Sequence, residues 1–127
     1  GLFDIKSPRV VMAGAHVDIE DYEMFITDFS SFVFDFACLC RPVLYFVPDY
    51  GQFKAGMNHY RELDLPFEKA FGPLVLDPDG AVEEIKKAAE NGFDPEPIYA
   101  ERMRSFFYPL ENCAEALYNE VSSWDCL

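Results

Sequence analysis

The sequence predicts an α/β fold in which a short parallel sheet is flanked by helices. The first observation is the unbroken apolar run VLYFV at 43–47, which is typical of a strand buried on both faces of a parallel sheet. The second observation concerns the residues before VLYFV. A short apolar run lies at 24–27, and after it apolar residues recur at helical spacing. A strand, a helix and a second strand in so short a stretch form a βαβ unit, whose strands run parallel.

Composition and charge narrow the function classes. The chain has 127 residues, with 23 acidic against 10 basic side chains and a formal net charge of −13. Half of the residues are hydrophobic, which supplies a core and excludes a disordered acidic tail. The negative charge argues against binding nucleic acid through a general basic field, and against docking to an anionic membrane through this segment.

The N-terminal third should contain three strands and one helix. The runs RVVMA at 9–13 and MFIT at 24–27 predict strands, the second of them buried, and a polar loop joins the two. Ser30 is a favourable N-cap for the helix that follows. Pro42 should end this helix, because the residue before a proline disfavours the α conformation. The buried run at 43–47 is then the central strand.

The rest of the chain should be mainly helical after a long loop and one short strand. The segment 48–73 has no sustained period and is predicted to be a loop, which PLVLD follows with a strand at 74–76. Asp77 or Asp79 can cap the next helix. Three helical segments are predicted, at 81–92, 98–107 and 111–122, the last two separated at Pro109.

The strand count indicates an incomplete domain. Three to four parallel strands are fewer than the roughly five or six of a complete doubly wound sheet. The first predicted strand also begins close to residue 1. We therefore expect residues 1–127 to form one truncated domain of a larger protein, with an exposed sheet edge through which copies of the chain can self-associate.

The most informative motif is TDFSS at 27–31, where a predicted strand meets a helix. In parallel α/β sheets, ligands bind outside the carboxyl ends of the strands. The hydroxyls of Ser30 and Ser31, with the first free amides of the helix, can hold a phosphate or diphosphate without a cation. Asp28, after Thr27, can orient a sugar hydroxyl. The alternative is an ordinary N-cap with a second serine beside it.

Three other side chains are candidates for a ligand or for chemistry. Asp35 lies within the first helix, where pairing with Arg41 is the structural alternative to a functional role. His16 and His59 are the two imidazoles, and an imidazole is the usual general base near neutral pH.

No motif indicates a metal or a cofactor. The cysteines lack zinc-site spacing, and the acidic segments lack the alternation of a calcium loop. Neither a GxGxxG nor a GxxxxGK(S/T) motif is present. Cys38 and Cys40 are interpreted as reduced, buried side chains. No cofactor is expected.

The run FITDFSSFVFDFACLCRPVLYFVPDYGQF resembles the CDP-glycerol glycerophosphotransferase family, the teichoic-acid and capsule polymerases of bacterial cell envelopes. That family has a TDYSS-like motif, then an Asp in a helix, a basic-Pro pair, an apolar strand and a D-x-x-x-F/Y segment. Phe29 stands where the usual pattern has Tyr. A Gly-Pro pair follows in the family and here, and the resemblance covers about residues 18–122. The matching residues are Thr27, Asp28, Ser30, Ser31, Asp35, Arg41, Pro42, Asp49 through Phe53, Gly72 and Pro73.

The resemblance implies a function and a partial Rossmann-like fold, the C-terminal domain of the GT-B architecture. Such a domain binds the nucleotide donor, so Ser30 and Ser31 would contact the diphosphate of CDP-glycerol. Tyr60 and Arg61 are further candidates for donor or acceptor contacts. The full-length protein would displace CMP from the donor and pass glycerol phosphate to a polymer acceptor.

The resemblance also bears on context. The catalytic residues and the acceptor site would lie upstream of this chain, which is therefore expected to be inactive alone. The full-length protein would be cytoplasmic and peripheral to the inner face of the cell membrane, contacting the membrane only through its other parts. Two alternatives stay open: the C-terminal region of another GT-B enzyme that uses a nucleotide sugar, and a non-catalytic interaction domain.

Overall fold

The computed structural model describes residues 7–14, 16–55, 65–107 and 111–124. Within them the predicted α/β class is confirmed, because a three-stranded, all-parallel sheet is flanked by helices. The strands are β1 (Phe25–Thr27), β2 (Val43–Phe46) and β3 (Leu74–Val75). The helices are α1 (Val33–Cys38), α2 (Tyr50–Lys54), α3 (Pro78–Glu90), α4 (Pro97–Phe106) and α5 (Cys113–Ser123), with 3-10 turns at Ile19–Asp21 and Phe67–Lys69.

β2 is the central strand, as the apolar run predicted. The sheet order is β1-β2-β3, and Thr27 of β1 and Leu74 of β3 both lie opposite Tyr45. Leu44 and Val47 are fully buried. The main core cluster combines alternate residues of β2 with side chains from α1, α4 and the 65–71 segment. Its members are Val33, Phe36, Ala37, Val43, Tyr45, Val47, Phe67, Ala70, Phe71 and Met103.

The predicted strand at 9–13 is wrong. These residues adopt no strand and are exposed, with Val11 at 82% and Met12 at 79%. A β-branched run becomes a strand only where another strand pairs with it, and no partner lies among the described residues. β1 was correctly predicted within 24–27, and it is an edge strand because it pairs only with β2 among the described strands. The prediction that it is buried is wrong, since Ile26 is half exposed.

α1 is shorter than predicted because turns replace its ends. A turn at 31–32 precedes its first residue, Val33. At the other end, Arg41 N–H donates to Phe36 O and Cys40 N–H donates to Ala37 O. This pair of bonds is a Schellman motif. The motif, and not Pro42, therefore ends the helix. Cys40 takes its left-handed position, with φ of +52°.

The later elements follow the prediction closely, with two additions. Asp77 caps α3 by accepting from Gly80 N–H at 2.9 Å, as expected. α4 and α5 correspond to the two predicted C-terminal helices, while the break at Pro109 lies outside the described residues. α2 and the 3-10 turn at Phe67–Lys69 interrupt the predicted loop, since a helix of five residues is too short to leave a clear period.

Gly72 lies directly against the backbone of β2. A Cβ atom built on this glycine would lie 1.8 Å from the carbonyl oxygen of Val43, deep inside van der Waals contact. The next residue, Pro73, accepts a hydrogen bond from Tyr45 N–H at 2.9 Å. The Gly-Pro pair thus lets the chain enter β3 at pairing distance from β2.

Tyr45 is a buried core residue whose hydroxyl is also buried. The side chain is 5% exposed, and its hydroxyl has no hydrogen-bond partner of ordinary geometry within the described residues. Burial raises the pKa of the Tyr45 hydroxyl above 10.0, opposed by a weaker contact with the backbone of Phe71. An uncompensated buried hydroxyl destabilises a fold by about 1–3 kcal/mol.

Replacing Gly72 by alanine should destabilise the fold strongly. The added methyl group must displace the Val43 carbonyl, so we expect the free energy of unfolding to fall by about 3 kcal/mol or more in a urea titration. The control is Gly51→Ala in α2, where a Cβ meets nothing within 4 Å. That change should stabilise the fold by up to about 1 kcal/mol. Equal effects of the two would contradict the close contact.

Replacing Cys40 by glycine should stabilise the end of α1. A side chain at positive φ costs about 1–2 kcal/mol, which glycine avoids in part at the expense of its own chain entropy. We expect a net gain of about 0.5–1 kcal/mol in the free energy of unfolding. Cys40→Ala removes the thiol but keeps the Cβ, so it should leave stability unchanged. A gain with alanine instead would trace the effect to the thiol.

Replacing Tyr45 by phenylalanine should leave stability near neutral pH unchanged or raise it by about 1 kcal/mol, because the unsatisfied hydroxyl is lost. The pKa of Tyr45 is raised on folding, so the parent's stability holds below pH 10 and falls as pH rises beyond it. Denaturant titrations from pH 8 to 11 should show a shallower alkaline fall in Tyr45→Phe. The exposed Tyr118→Phe should keep the parent slope, and a lower stability of Tyr45→Phe at pH 8 would contradict the unpaired hydroxyl.

Candidate functional site

The TDFSS segment lies at the carboxyl edge of the sheet, as predicted. Thr27 is the last residue of β1 and is buried, and the four residues after it cross the edge toward α1. A cavity of about 240 Å³ opens beside this crossing. It is lined by Asp28, Phe29, Ser30, Ser31, Val33, Phe34, Tyr45, Leu65 and Phe67.

The two serines keep donor capacity toward this cavity. Ser30 Oγ accepts from Phe32 N–H at 3.2 Å, which leaves its own hydroxyl hydrogen available. Within the described part of the chain, the Ser31 hydroxyl and the backbone amides of Ser30 and Ser31 donate to no protein acceptor. Two hydroxyls and two amides can therefore donate to an oxyanion at this edge.

The N-terminus of α1 offers a phosphate fewer free amides than the sequence predicted. α1 begins at Val33, has six residues, and its first amides are already used. Val33 N–H donates to Ser30 O and Phe34 N–H donates to Ser31 O. Few aligned peptides contribute to the helix dipole, so the serines themselves must supply the donors.

Asp28 is exposed, and its carboxylate is partly committed. One of its oxygens, Oδ1, accepts from Phe29 N–H at 2.6 Å. This short bond fixes the turn that presents Phe29 and the serines. A second carboxylate oxygen stays available for a hydroxyl donor, which is the role that the sequence predicted for Asp28.

Aromatic rings form much of the cavity wall. Phe29 stacks on Phe53 of α2 with centroids 4.4 Å apart and lies 5.9 Å from Phe67. Phe67 is in turn contacted edge-on by Tyr45 at 5.2 Å and by Tyr50 at 5.4 Å. Sequence reasoning missed this wall, because Phe67 lies 36 positions beyond Ser31 in a segment without a period.

The segment that carries Phe67 is tied to α4. Arg102 Nη1 donates to Ala70 O at 2.9 Å, and the Arg102 guanidinium lies 5.5 Å from the ring centre of Tyr99. Ala70 ends the 3-10 turn that begins at Phe67. A residue on a distant helix thereby anchors one wall of the cavity.

Asp35 and His16, two further sequence candidates, lie outside this cavity. Asp35 is exposed on α1, and no ion pair joins it to Arg41 in the described structure, so the structure does not show that structural alternative. His16 is exposed in a separate, open depression with Phe32. The predicted contacts of His59, Tyr60 and Arg61 lie outside the described residues.

The cysteine interpretation was partly wrong. Cys40 is exposed and Cys38 is only partly buried, although both are free thiols as expected. Cys40 is exposed because the Schellman turn carries it away from the apolar face of α1.

A second cavity, of about 290 Å³, lies at the opposite, amino edge of the sheet, between α3 and α4. Met24, Pro42 and Pro73 line it from the strand entries. On the helix side, Lys87 pairs with Glu84, which raises the pKa of the Lys87 ammonium. The sequence analysis did not identify this cavity.

The described residues contain neither a metal-binding cluster nor a membrane-spanning helix. No group of three or more His, Cys, Asp or Glu side chains is placed there to hold a metal ion. In the same residues, no helix combines the length and the apolar character that a bilayer crossing requires.

Three curated relatives are teichoic acid proteins. A teichoic acid poly(glycerol phosphate) polymerase of Bacillus subtilis (strain 168) is 44% identical over 66 residues, which are 51% of this chain and 8% of the relative. The protein of the same name from Bacillus spizizenii is 39% identical over 77 residues, 57% of this chain and 19% of the relative. The minor teichoic acid biosynthesis protein GgaB of Bacillus subtilis is 29% identical over 102 residues, 79% of this chain and 11% of the relative.

The chain therefore spans less than a fifth of the length of each of these relatives. A solved structure of the wall teichoic acid polymerase TagF superposes with a TM-score of 0.49 at 19% identity, over 84% of this chain and 28% of that one. The sequence model described as CDP-glycerol:poly(glycerophosphate) glycerophosphotransferase matches residues 6–122, nearly the whole chain. On the strength of that match, the chain belongs to the CDP-glycerol:poly(glycerophosphate) glycerophosphotransferase family.

Proposed function

We propose that this chain is the donor-binding part of a transferase that moves glycerol phosphate from CDP-glycerol to a growing cell-envelope polymer. Residues 1–127 would be a truncated C-terminal domain of that enzyme, with its Rossmann-like sheet completed by sequence outside this chain. The observation that carries the proposal is the paired serines, which line a cavity at the carboxyl edge of the sheet and whose donors bond to no acceptor among the described residues, except for the acceptor role of Ser30 Oγ toward Phe32 N–H.

The proposed donor-binding segment comprises Thr27, Asp28, Ser30 and Ser31, of which the two serines would hold the donor diphosphate. Hydroxyl and amide donors suit phosphate oxygens, and their hydrogen bonds to an ionised acceptor are stronger than neutral ones. Asp28 would take a donor hydroxyl through its second carboxylate oxygen. No Lys or Arg lines this cavity among the described residues. We expect the isolated chain to bind the dianion weakly, because its net charge of −13 repels an anion at long range.

The reaction itself needs groups beyond this chain. An acceptor hydroxyl forms a bond to the glycerol-bearing phosphorus, the bond from that phosphorus to the bridging oxygen breaks, and CMP leaves with the electron pair. The hydroxyl proton passes to a general base, expected upstream of residue 1. The serines would stabilise negative charge on the phosphates.

The acceptor polymer would bind the missing part of the enzyme, and the full-length protein would work at the inner face of the cell membrane. The names of the relatives support a polymer acceptor, since they concern teichoic acid polymerisation and biosynthesis. Of the two alternatives, a nucleotide-sugar enzyme would favour a different nucleotide, and an interaction domain would bind none.

The test is calorimetric titration of CDP into the 127-residue chain and into a Ser30→Ala, Ser31→Ala double variant. Losing two hydroxyls that bond an anion should weaken binding by about tenfold or more. The matched control is Ser122→Ala with Ser123→Ala, a serine pair on exposed α5 far from the cavity in sequence. This control should bind CDP as the parent chain does.

Equal CDP affinity in parent and double variant would contradict the assignment of the serines. Robust glycerol phosphate transfer by the chain alone would contradict its assignment as an incomplete enzyme. Stabilisation against heat by UDP or GDP in place of CDP would favour the nucleotide-sugar alternative, and stabilisation by none of the three would favour the interaction domain.

A further inference from the structure

The cavity beside the serines has a polar rim and an aromatic interior, which suits a ligand with two chemically different ends. We propose that the interior binds the base of the donor nucleotide, with the ring of Phe29 as its stacking surface. This inference rests on the proposed function and extends it from the diphosphate to the heterocycle.

Phe29 is placed to serve both ends of such a ligand. It lies between Asp28 and Ser30 in the chain, so its ring is carried by the same turn that presents the phosphate donors. One face of the ring is stacked on Phe53 at an interplanar angle of 25°. Phe29 lines the cavity wall, and 38% of its surface remains exposed.

The rest of the wall is apolar and packed against the core. Phe67 is only 9% exposed and is held by the rings of Tyr45 and Tyr50. Val33, Phe34 and Leu65 complete the apolar lining. A wall already fixed by core packing loses little conformational entropy when a ligand enters.

A planar base fits this lining better than the glycerol end of the donor. Each base has a π-face, and stacking on an aromatic side chain contributes about 1–3 kcal/mol per base. The hydroxyls of a polyol would lose their hydrogen bonds to water there, because the aromatic rings offer them no comparable partners. The volume of about 240 Å³ lies below the roughly 300–1,000 Å³ of pockets for whole drug-sized ligands, so it suits one part of a nucleotide.

The experiment compares Phe29→Ala and Phe29→Tyr with the parent chain. Binding of CDP, inorganic diphosphate and glycerol 3-phosphate is followed by chemical-shift titration of the labelled chain. We expect Phe29→Ala to bind CDP about tenfold more weakly, because the stacking surface is lost. The tyrosine variant keeps the ring and should bind CDP within about twofold of the parent. Both variants should keep the parent affinity for diphosphate.

The three ligands separate failure of this inference from failure of the proposed function. If Phe29→Ala binds CDP like the parent, the base lies elsewhere and the inference is overturned while the serine site stands. An equal loss for glycerol 3-phosphate would assign the interior to the polyol and overturn it too. If neither CDP nor diphosphate shifts any resonance of the parent chain, the proposed function fails and the base site fails with it. Unchanged diphosphate affinity in Phe29→Ala also verifies that the variant is folded.

Discussion

The pairing of β2 with both of its neighbours is the constraint on which the rest of the structure depends. β2 has four residues, yet it sets the register of β1 through Thr27 and of β3 through the approach of Gly72. The same strand sends Tyr45 into the core and to the wall of the cavity. The TDFSS turn therefore meets the 65–71 segment because both are positioned against one strand.

Local sequence patterns predicted those elements that local forces decide. VLYFV is apolar without interruption and became β2, and Asp77 capped α3 because an N-cap bond spans only three residues. RVVMA has an equally good strand composition and failed, since a strand also needs a partner that composition does not reveal. In the candidate site, the turn at 27–31 was visible in the sequence. The Phe67 wall was not, because contacts between distant segments leave no period to detect.

The electrostatic field around the site is unfavourable for an anionic ligand. A chain with net charge −13 repels a diphosphate at long range, and Asp28 adds a carboxylate at the rim itself. Short-range donors and stacking can still hold the ligand, because both act over contact distances that the net field does not control. In the proposed enzyme, attraction at longer range would have to come from basic groups outside residues 1–127.

The bond from Arg102 to Ala70 has a consequence for the order of folding during synthesis. A ribosome releases the chain from its N-terminus, so β1, α1 and β2 can pair before α4 exists. The turn carrying Phe67 is then complete in sequence but lacks its anchor, which arrives only 32 residues after Ala70. The cavity next to the serines thus acquires its finished shape late, after most of this segment has left the ribosome. In a nascent chain arrested before α4, the serines would be present while the Phe67 wall still lacked its bond to Arg102.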